Sequence, residues 1–384
     1  ERETNGEFDL AFSGWGADYP DPLTYLSTMQ TGNQFSNQVG YNSEEYNKLI
    51  EEAMKLPITE GYAKYAEAEK LMLEDGYLAP IYQKASAYLE KDYVSGIVNN
   101  SWGADYTYTY ADVNKDDKVL NLATSSDIPT LDLSKATDQS SFQTANTTME
   151  GLTRVDAEGK VQPGVAESWE TSEDGLTWTF KLRKNSTWSN GTPVTAHDFE
   201  YSWKRTLTPE TASEYSYIMA DIVGSSTKEI EANGVDGVGV KALDDYTLEV
   251  KLNRPVAYFA ELVSFQVFFP QNQAFVESCG DAYGSAADKQ LYNGPFTLTS
   301  WKMEDQFTME KNPNYWDAAN VKLNKINTKV VKDTGAEVSL YEDGQIDRAG
   351  LSSDYVDKYK DSKEFHTRDV ASVFMLQVNG GNNK

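Results

Sequence analysis

Five consecutive residues, Gly14-Trp15-Gly16-Ala17-Asp18, carry the chemistry needed to hold an extended ligand. Gly14 and Gly16 flank the indole with two small residues, so backbone N–H and C=O groups there are open to close approach. Asp18 supplies a carboxylate for a cationic group. A second interpretation stays open at this point: Trp15 is a core anchor, and Asp18 only organises the turn around Pro20 and Pro22.

Acidic and aromatic side chains are both abundant in the chain, which has 60 Asp and Glu, 24 Tyr, 15 Phe and 8 Trp. One interpretation is a carbohydrate-active enzyme, with aromatic platforms under sugars and paired carboxylates as acid and nucleophile. The other interpretation is that the acids solvate the surface while the aromatic rings fill the core. For any single neighbouring pair the second interpretation is favoured.

Recognised catalytic and metal-binding motifs are missing from the sequence. With only His197 and His366, a His-based triad or a two-His metal site is barely available, and the single Cys279 excludes a Cys-based cluster. Residues 112–118 begin like a calcium loop, but Asp117 replaces the required Gly and Ala123 occupies the position of the bidentate Glu. We therefore predict a solvated linker at 112–118 and a protein that is not an enzyme and needs no cofactor or metal.

Length and charge narrow the class of protein further. A chain of 384 residues is long enough for two or three domains. Its formal net charge of −26 repels phosphate backbones and anionic lipid surfaces, which disfavours nucleic-acid binding and peripheral membrane binding. No apolar stretch approaches the 18 residues of a spanning helix.

The elements that must position the 14–18 segment are predicted from periodicity and capping. Residues 8–12 predict a strand that is apolar on both faces, which would place 14–18 at the carboxyl end of a buried strand, where open α/β folds bind ligands. Ser43 and Thr59 predict the N-caps of two helices, and residues 78–88 predict a strand. Further strands are predicted at 106–110, 119–123, 177–182, 237–243, 247–252, 296–301, 306–311 and 325–331, and further helices at 196–206, 256–265, 334–342 and 352–358. This alternation predicts an α/β protein with a mixed sheet.

Several long motifs resemble one known family. They are Gly164-Val165-Ala166-Glu167-Ser168-Trp169, Thr177-Trp178-Thr179-Phe180-Lys181-Leu182-Arg183, Trp188-Ser189-Asn190-Gly191-Thr192-Pro193-Val194-Thr195-Ala196-His197-Asp198-Phe199, Tyr201-Ser202-Trp203, Tyr292-Asn293-Gly294-Pro295-Phe296, Asn312-Pro313-Asn314-Tyr315-Trp316, and the 14–19 segment. Together they resemble the oligopeptide-binding, OppA-like family of extracellular solute-binding proteins of ABC importers. The resemblance implies a two-lobed, periplasmic-binding-protein-like fold with mixed sheets.

The resemblance also implies an unusual segment order. In the family, the part resembling 1–111 comes last and the part resembling 119 onward comes first, so the chain resembles a circularly permuted member with an incomplete second lobe. The implied domains are a partial second lobe at 1–85, a return into the first lobe at 86–111, the linker at 112–118, the first lobe at 119–372 and a crossover at 373–384.

The function implied by the resemblance is capture of oligopeptides outside the cell and delivery to an ABC permease. Asp18 matches the family's carboxylate for the ligand amine, and the other ligand-binding positions implied are Gly14, Trp15, Gly16, Asn37, Thr137, Gln139 and Tyr215. The resemblance further implies a monomer, extracellular or periplasmic, held at a membrane only through a lipid anchor. A glycoside hydrolase and a rearranged, non-binding form remain as alternatives.

Overall fold

The computed structural model describes residues 5–56, 58–156 and 158–381. The helices are α1 (Leu23–Leu26), α2 (Gln34–Val39), α3 (Glu44–Ala53), α4 (Ile58–Asp75), α5 (Gln139–Thr148), α6 (Ala196–Leu207), α7 (Thr227–Asn233), α8 (Phe259–Leu262), α9 (Gln273–Cys279), α10 (Thr334–Glu342) and α11 (Ser353–Tyr359). The strands are β1 (Leu10–Gly16), β2 (Leu78–Glu90), β3 (Val94–Ser95), β4 (Val98–Asn99), β5 (Tyr106–Thr107), β6 (Asp112–Val113), β7 (Val119–Thr124), β8 (Thr153–Val155), β9 (Val161–Pro163), β10 (Ala166–Thr171), β11 (Thr177–Leu182), β12 (Val240–Asp244), β13 (Thr247–Lys251), β14 (Phe296–Lys302), β15 (Gln306–Lys311), β16 (Lys325–Val330), β17 (Arg348–Leu351) and β18 (Phe365–Val378).

The chain divides into two compact units. Unit 1 comprises the described residues of Glu1–Ala85 and Asp369–Lys384, and unit 2 comprises those of Ser86–Arg368. The assignment of these units to the two lobes of a binding protein stays a prediction.

Unit 1 is a small sheet with helices. Its strands follow the order β1-β18-β2, and β1 runs antiparallel to β18. The hydroxyl of Ser43 accepts the backbone N–H of Tyr46 and so caps α3 as predicted. The predicted cap at Thr59 is wrong, because α4 already begins at Ile58. Gly76 directly follows the last residue of α4 and terminates the helix as predicted. Its φ is +78°, a left-handed conformation that glycine adopts at little cost because it has no Cβ.

The prediction that β1 is buried on both faces is wrong. Leu10 and Phe12 are each 57% exposed, and they alternate with residues of the opposite, helix-facing side that includes Trp15. On the open side, Phe374 stacks on Phe12, at 5.7 Å between ring centroids, and on Tyr82, at 5.1 Å, and the rings of Phe12 and Tyr82 lie 6.4 Å apart. The apolar residues of this face therefore form an aromatic ladder along the surface instead of a second buried layer.

Unit 2 contains two four-stranded sheets, β10-β11-β13-β12 and β14-β15-β16-β7. The first is antiparallel, and the second is mixed because β16 pairs with β7 in parallel. Alternation buries Trp178, Phe180 and Leu182 on one side of β11, where Trp178 packs on Phe259. The core of the second sheet is a cluster of buried side chains, among them Leu120, Leu122, Phe296, Leu298, Met309 and Ile326.

Helix α6 begins as its sequence predicts. Thr195 and Asp198 form a reciprocal capping box in which the Asp198 carboxylate accepts the Thr195 backbone N–H at 2.7 Å. By contrast, the helix predicted at 256–265 is reduced to the four residues of α8, and residues 266–268 turn as a 3₁₀ helix.

The 112–118 segment is more ordered than a solvated linker. Its first two residues form β6, paired with β3, and Val113 is fully buried. Lys118 then bonds back to the Asp112 carboxylate at 2.8 Å, while Lys115 lies 3.2 Å from the buried carboxylate of Asp347. The segment is an integral connection within unit 2.

Candidate functional site

Strand β1 presents one open edge, and the predicted glycines face it. The backbone N–H of Ala17 donates to the carbonyl of Ala371 at 2.8 Å, in register with the β1–β18 ladder. Backbone groups alternate along an antiparallel strand, so Ser13, Trp15 and Ala17 bond toward β18. Gly14 and Gly16 therefore direct their N–H and C=O groups to the other side, where the described residues provide no neighbouring strand.

Asp18 follows this edge directly and is buried, with 7% of its surface exposed. Its backbone N–H donates to the Thr24 hydroxyl at 2.9 Å, which fixes the main chain at the end of the strand. The turn that follows is organised by Asp21, whose carboxylate accepts the Leu23 backbone N–H at 2.9 Å.

Tyr25 lies beside this carboxylate. Burial and, next in size, the negative charge of Asp18 raise the pKa of the Tyr25 hydroxyl. That hydroxyl donates to the Ala371 carbonyl at 2.8 Å. The surroundings of Asp18 are thus partly shielded from water, where opposite charges attract each other more strongly than in bulk solvent.

Trp15 lies on the helix-facing side of β1. Its ring meets Phe35 edge-on at 5.2 Å, and it lines an apolar cavity of about 400 Å³ in unit 1 together with Tyr65 and Met375. Asn37 is exposed on α2, and its side-chain N–H donates to the Gly32 carbonyl at 2.8 Å. Both positions therefore have a local structural role in unit 1.

The remaining predicted ligand residues belong to unit 2. Thr137 and Gln139 are exposed at the start of α5, and the Gln139 side-chain N–H donates to the Gly103 carbonyl at 3.1 Å. Tyr215 is buried and packs on Phe142 and Phe265. The structure thus groups the predicted residues into two sets, one in each unit.

Sequence reasoning missed a cavity of about 220 Å³ in unit 2. It lies under loop 99–104, and its walls include the end of α5, strand β8 and the segment 264–269. Gln266 contributes to the wall with 3% of its surface exposed, and its Nε2 donates to Asn146 Oδ1 at 3.2 Å. The signal available in the sequence was one amide side chain in a run in which every other residue except Ser264 is apolar: Val263-Ser264-Phe265-Gln266-Val267-Phe268-Phe269.

A buried acid and a guanidinium also line this cavity. Glu150 accepts hydrogen bonds from Tyr315 and Trp316, and it lies 3.6 Å from Arg154 Nη1. Burial raises the pKa of the Glu150 carboxyl, and the charge of Arg154 lowers it only in part. Arg154 also pairs with Asp317 at 3.0 Å, and the charge of Arg183 acts on Glu150 as well, so two guanidinium groups serve two carboxyl groups within unit 2.

Metal-ligand clusters and membrane-spanning helices are the next two features to consider in the described parts of the chain. No cluster of three or more His, Cys, Asp or Glu side chains in residues 5–56, 58–156 and 158–381 is arranged to hold a metal ion. Within the same ranges, no helix combines the length and the apolar character required to cross a membrane.

Comparison with known proteins identifies the family. Residues 160–384 match the model of "Bacterial extracellular solute-binding proteins, family 5 Middle". The oligopeptide-binding protein OppA of Bacillus subtilis is 38% identical over 249 residues, which is 64% of this chain and 46% of that protein. The dipeptide-binding protein DppE of the same organism is 37% identical over 62% of this chain and 44% of its own length.

Solved structures agree with these matches and confirm the fold prediction. The substrate-binding domain of an oligopeptide ABC transporter from Bacillus anthracis is 46% identical, with a TM-score of 0.64 over 65% of this chain and 48% of its own. Listeria monocytogenes OppA bound to peptide is 41% identical, with a TM-score of 0.63 over 65% and 49%. The mixed α/β fold is therefore periplasmic-binding-protein-like, and the chain spans about half the length of these relatives, which fits the predicted incomplete lobe.

Proposed function

Because the chain belongs to the bacterial extracellular solute-binding proteins of family 5, we propose that it captures oligopeptides outside the cell for delivery to an ABC permease. The names of its relatives support this, since they include oligopeptide- and dipeptide-binding proteins. One observation carries the proposal: an open strand edge with two outward-facing glycines leads directly into a buried carboxylate.

The proposed binding mode is addition of the peptide as a strand along β1. The backbone groups of Gly14 and Gly16 pair with the peptide main chain, which gives affinity that depends little on peptide sequence. Asp18 neutralises the free amino terminus, and a charge-assisted hydrogen bond of this kind contributes about 1.5–3 kcal/mol. Trp15, Asn37, Thr137, Gln139 and Tyr215 stay predicted ligand residues.

The finer properties of this function are also proposals. We infer a monomeric, extracellular or periplasmic protein that binds without catalysing a reaction, with a lipid anchor by analogy to the family. We infer that the segment order is permuted relative to the family. The family model matches residues 160–384, which lie in the part of this chain that is predicted to come first in other family members. None of the four relatives named above is called a glycoside hydrolase, so that alternative has no support from them.

Calorimetric titration of tri- to pentapeptide mixtures into the chain tests the function. We expect heat of binding from the parent and about tenfold to a hundredfold weaker binding by Asp18→Asn, which removes the charge that pairs with the amine. Asp9→Asn is the matched control, because it makes the same charge change at an exposed residue of the same unit. With peptides whose amino end is acetylated, the parent should lose its advantage over Asp18→Asn, because no ammonium group is present to pair with the Asp18 carboxylate.

Three results would contradict the proposal. Absence of heat from the parent would favour the rearranged, non-binding form. Release of sugar from oligosaccharides would favour the hydrolase. Equal affinity of parent and Asp18→Asn for free peptides would remove Asp18 from the site.

A further inference from the structure

The cavity in unit 2 is a built site, with polar groups buried deeply in its wall. Its volume of about 220 Å³ exceeds the roughly 150 Å³ of an engineered cavity that binds benzene, so a side chain fits inside. Phe265 and Phe269 give it buried aromatic surface, while Asn146 and Gln266 give it amide groups.

Gln266 is the residue that indicates what enters. Its Nε2 is used by Asn146, but its Oε1 is buried without a hydrogen-bond partner among the described residues. An unpaired buried acceptor is unfavourable, so a ligand that donates a hydrogen bond to this oxygen is favoured. Arg154 offers the complementary group, since its Nε–H is likewise buried without a partner in the described parts of the chain.

Charge restricts the occupant to a neutral group. The charged groups in the wall include Glu150 and Arg154, which lie 3.6 Å apart. Beyond the wall, Asp317 pairs with Arg154 and the charge of Arg183 acts on Glu150, so two guanidinium groups balance two carboxyl groups. A charged ligand would bring an unmatched charge next to these buried groups, and removing an ion from water without a partner is strongly unfavourable.

We propose that this cavity is a subsite for an uncharged carboxamide, the side chain of a Gln or Asn residue of a captured peptide. The carboxamide NH₂ donates to Gln266 Oε1, its C=O accepts from Arg154 Nε, and its methylene stem packs on Phe265. An aliphatic side chain of similar length leaves both buried groups unpaired. The peptide context rests on the function proposed above, while the preference for a carboxamide rests on the cavity alone.

Two predicted ligand residues of unit 2 support the walls of the subsite. Gln139 bonds to Gly103 of the overlying loop, and Tyr215 packs on Phe265 at 5.8 Å. Both of their partners line the cavity. Gln139 and Tyr215 therefore position the parts of the cavity wall formed by Gly103 and Phe265.

Saturation-transfer NMR of small ligands with the whole chain tests the proposal without needing a peptide amine. The probes are the N-acetyl methylamides of glutamine, norleucine and glutamate. We expect the parent to bind the glutamine compound at least tenfold more tightly than the other two. Gln266→Met keeps the length of the side chain and should abolish that preference, whereas Gln273→Met, at an exposed position, should retain it.

The outcomes separate this proposal from the peptide-binding function. Equal binding of the three probes by the parent would overturn the subsite, and this comparison decides the matter even if Gln266→Met fails to fold. An unchanged preference in folded Gln266→Met would also overturn it. If the glutamine probe binds selectively while calorimetry shows no peptide binding, the subsite is supported and the peptide-binding function is not. If calorimetry shows peptide binding while the three probes bind equally, the peptide-binding function is supported and the subsite is not.

Discussion

At the scale of single residues, Gly14 has two reasons to lack a side chain. A Cβ at this position would lie 2.9 Å from Cε1 of the Phe374 ring, which covers the glycine on the open side of the sheet. The same residue directs its backbone groups to the open edge of β1. Packing alone therefore explains a glycine here, and a loss of binding on substitution of Gly14 would not by itself prove contact with a ligand.

Gly14→Ala should displace the Phe374 ring and lower the free energy of unfolding by about 1–3 kcal/mol, the usual cost of overpacking. Gly16→Ala is the control, because its Cβ would meet only the Ser372 hydroxyl at 3.1 Å. Urea denaturation followed by circular dichroism measures both. Equal midpoints for the two variants would show that the aromatic ladder does not constrain Gly14.

At the scale of elements, β1 offers a test that separates ligand binding from folding. Gly16→Pro removes an N–H group on the open edge, where proline is tolerated, and should weaken peptide binding about tenfold with little change in the unfolding midpoint. Ser13→Pro removes an N–H group that bonds toward β18 and should lower the midpoint instead. Calorimetry and denaturation of both variants check this; loss of stability in Gly16→Pro alone would mean that the edge assignment is wrong.

The elements that could be predicted from sequence are those fixed by local interactions. The capping box of Thr195 and Asp198 and the alternation of Trp178, Phe180 and Leu182 are short-range patterns, and α6 and β11 lie where they were predicted. The exposure of Phe12 was missed because burial depends on which distant segment covers a strand. The unit 2 cavity was missed for the same reason, since its walls come from segments far apart in the chain.

At the scale of the whole molecule, stability should fall as the pH rises above about 5, the upper end of the ordinary carboxyl range. Burial raises the pKa values of Glu90, Glu150, Asp198, Asp221 and Glu337 above their ordinary range. Above the ordinary carboxyl range these groups hold more protons in the folded chain than in the unfolded chain, so stability is lost as the pH rises through their folded pKa values. Growing repulsion within a chain of net charge −26 acts in the same direction.

Thermal melting between pH 5 and 8.5, in low salt and in 0.5 M NaCl, measures both contributions. Salt screens the surface repulsion but not the buried groups, so a reduced fall should persist in NaCl. The carboxyls of Asp156 and Asp174 have lowered pKa values and stabilise the fold when ionised. They are ionised in both the folded and the unfolded chain above about pH 5, so their contribution to stability no longer changes with pH in the range tested. A melting temperature that rises with pH across this range would contradict the prediction.

The open edge of β1 has a consequence for handling the protein. An unpaired edge that accepts a ligand's backbone can equally template a second copy of itself, and Leu10 and Phe12 make this strand apolar on its exposed face. Mutual repulsion between acidic molecules is then the safeguard against aggregation. Acidification toward the titration range of its carboxylates removes that safeguard, so concentrated stocks keep best at neutral pH and low salt.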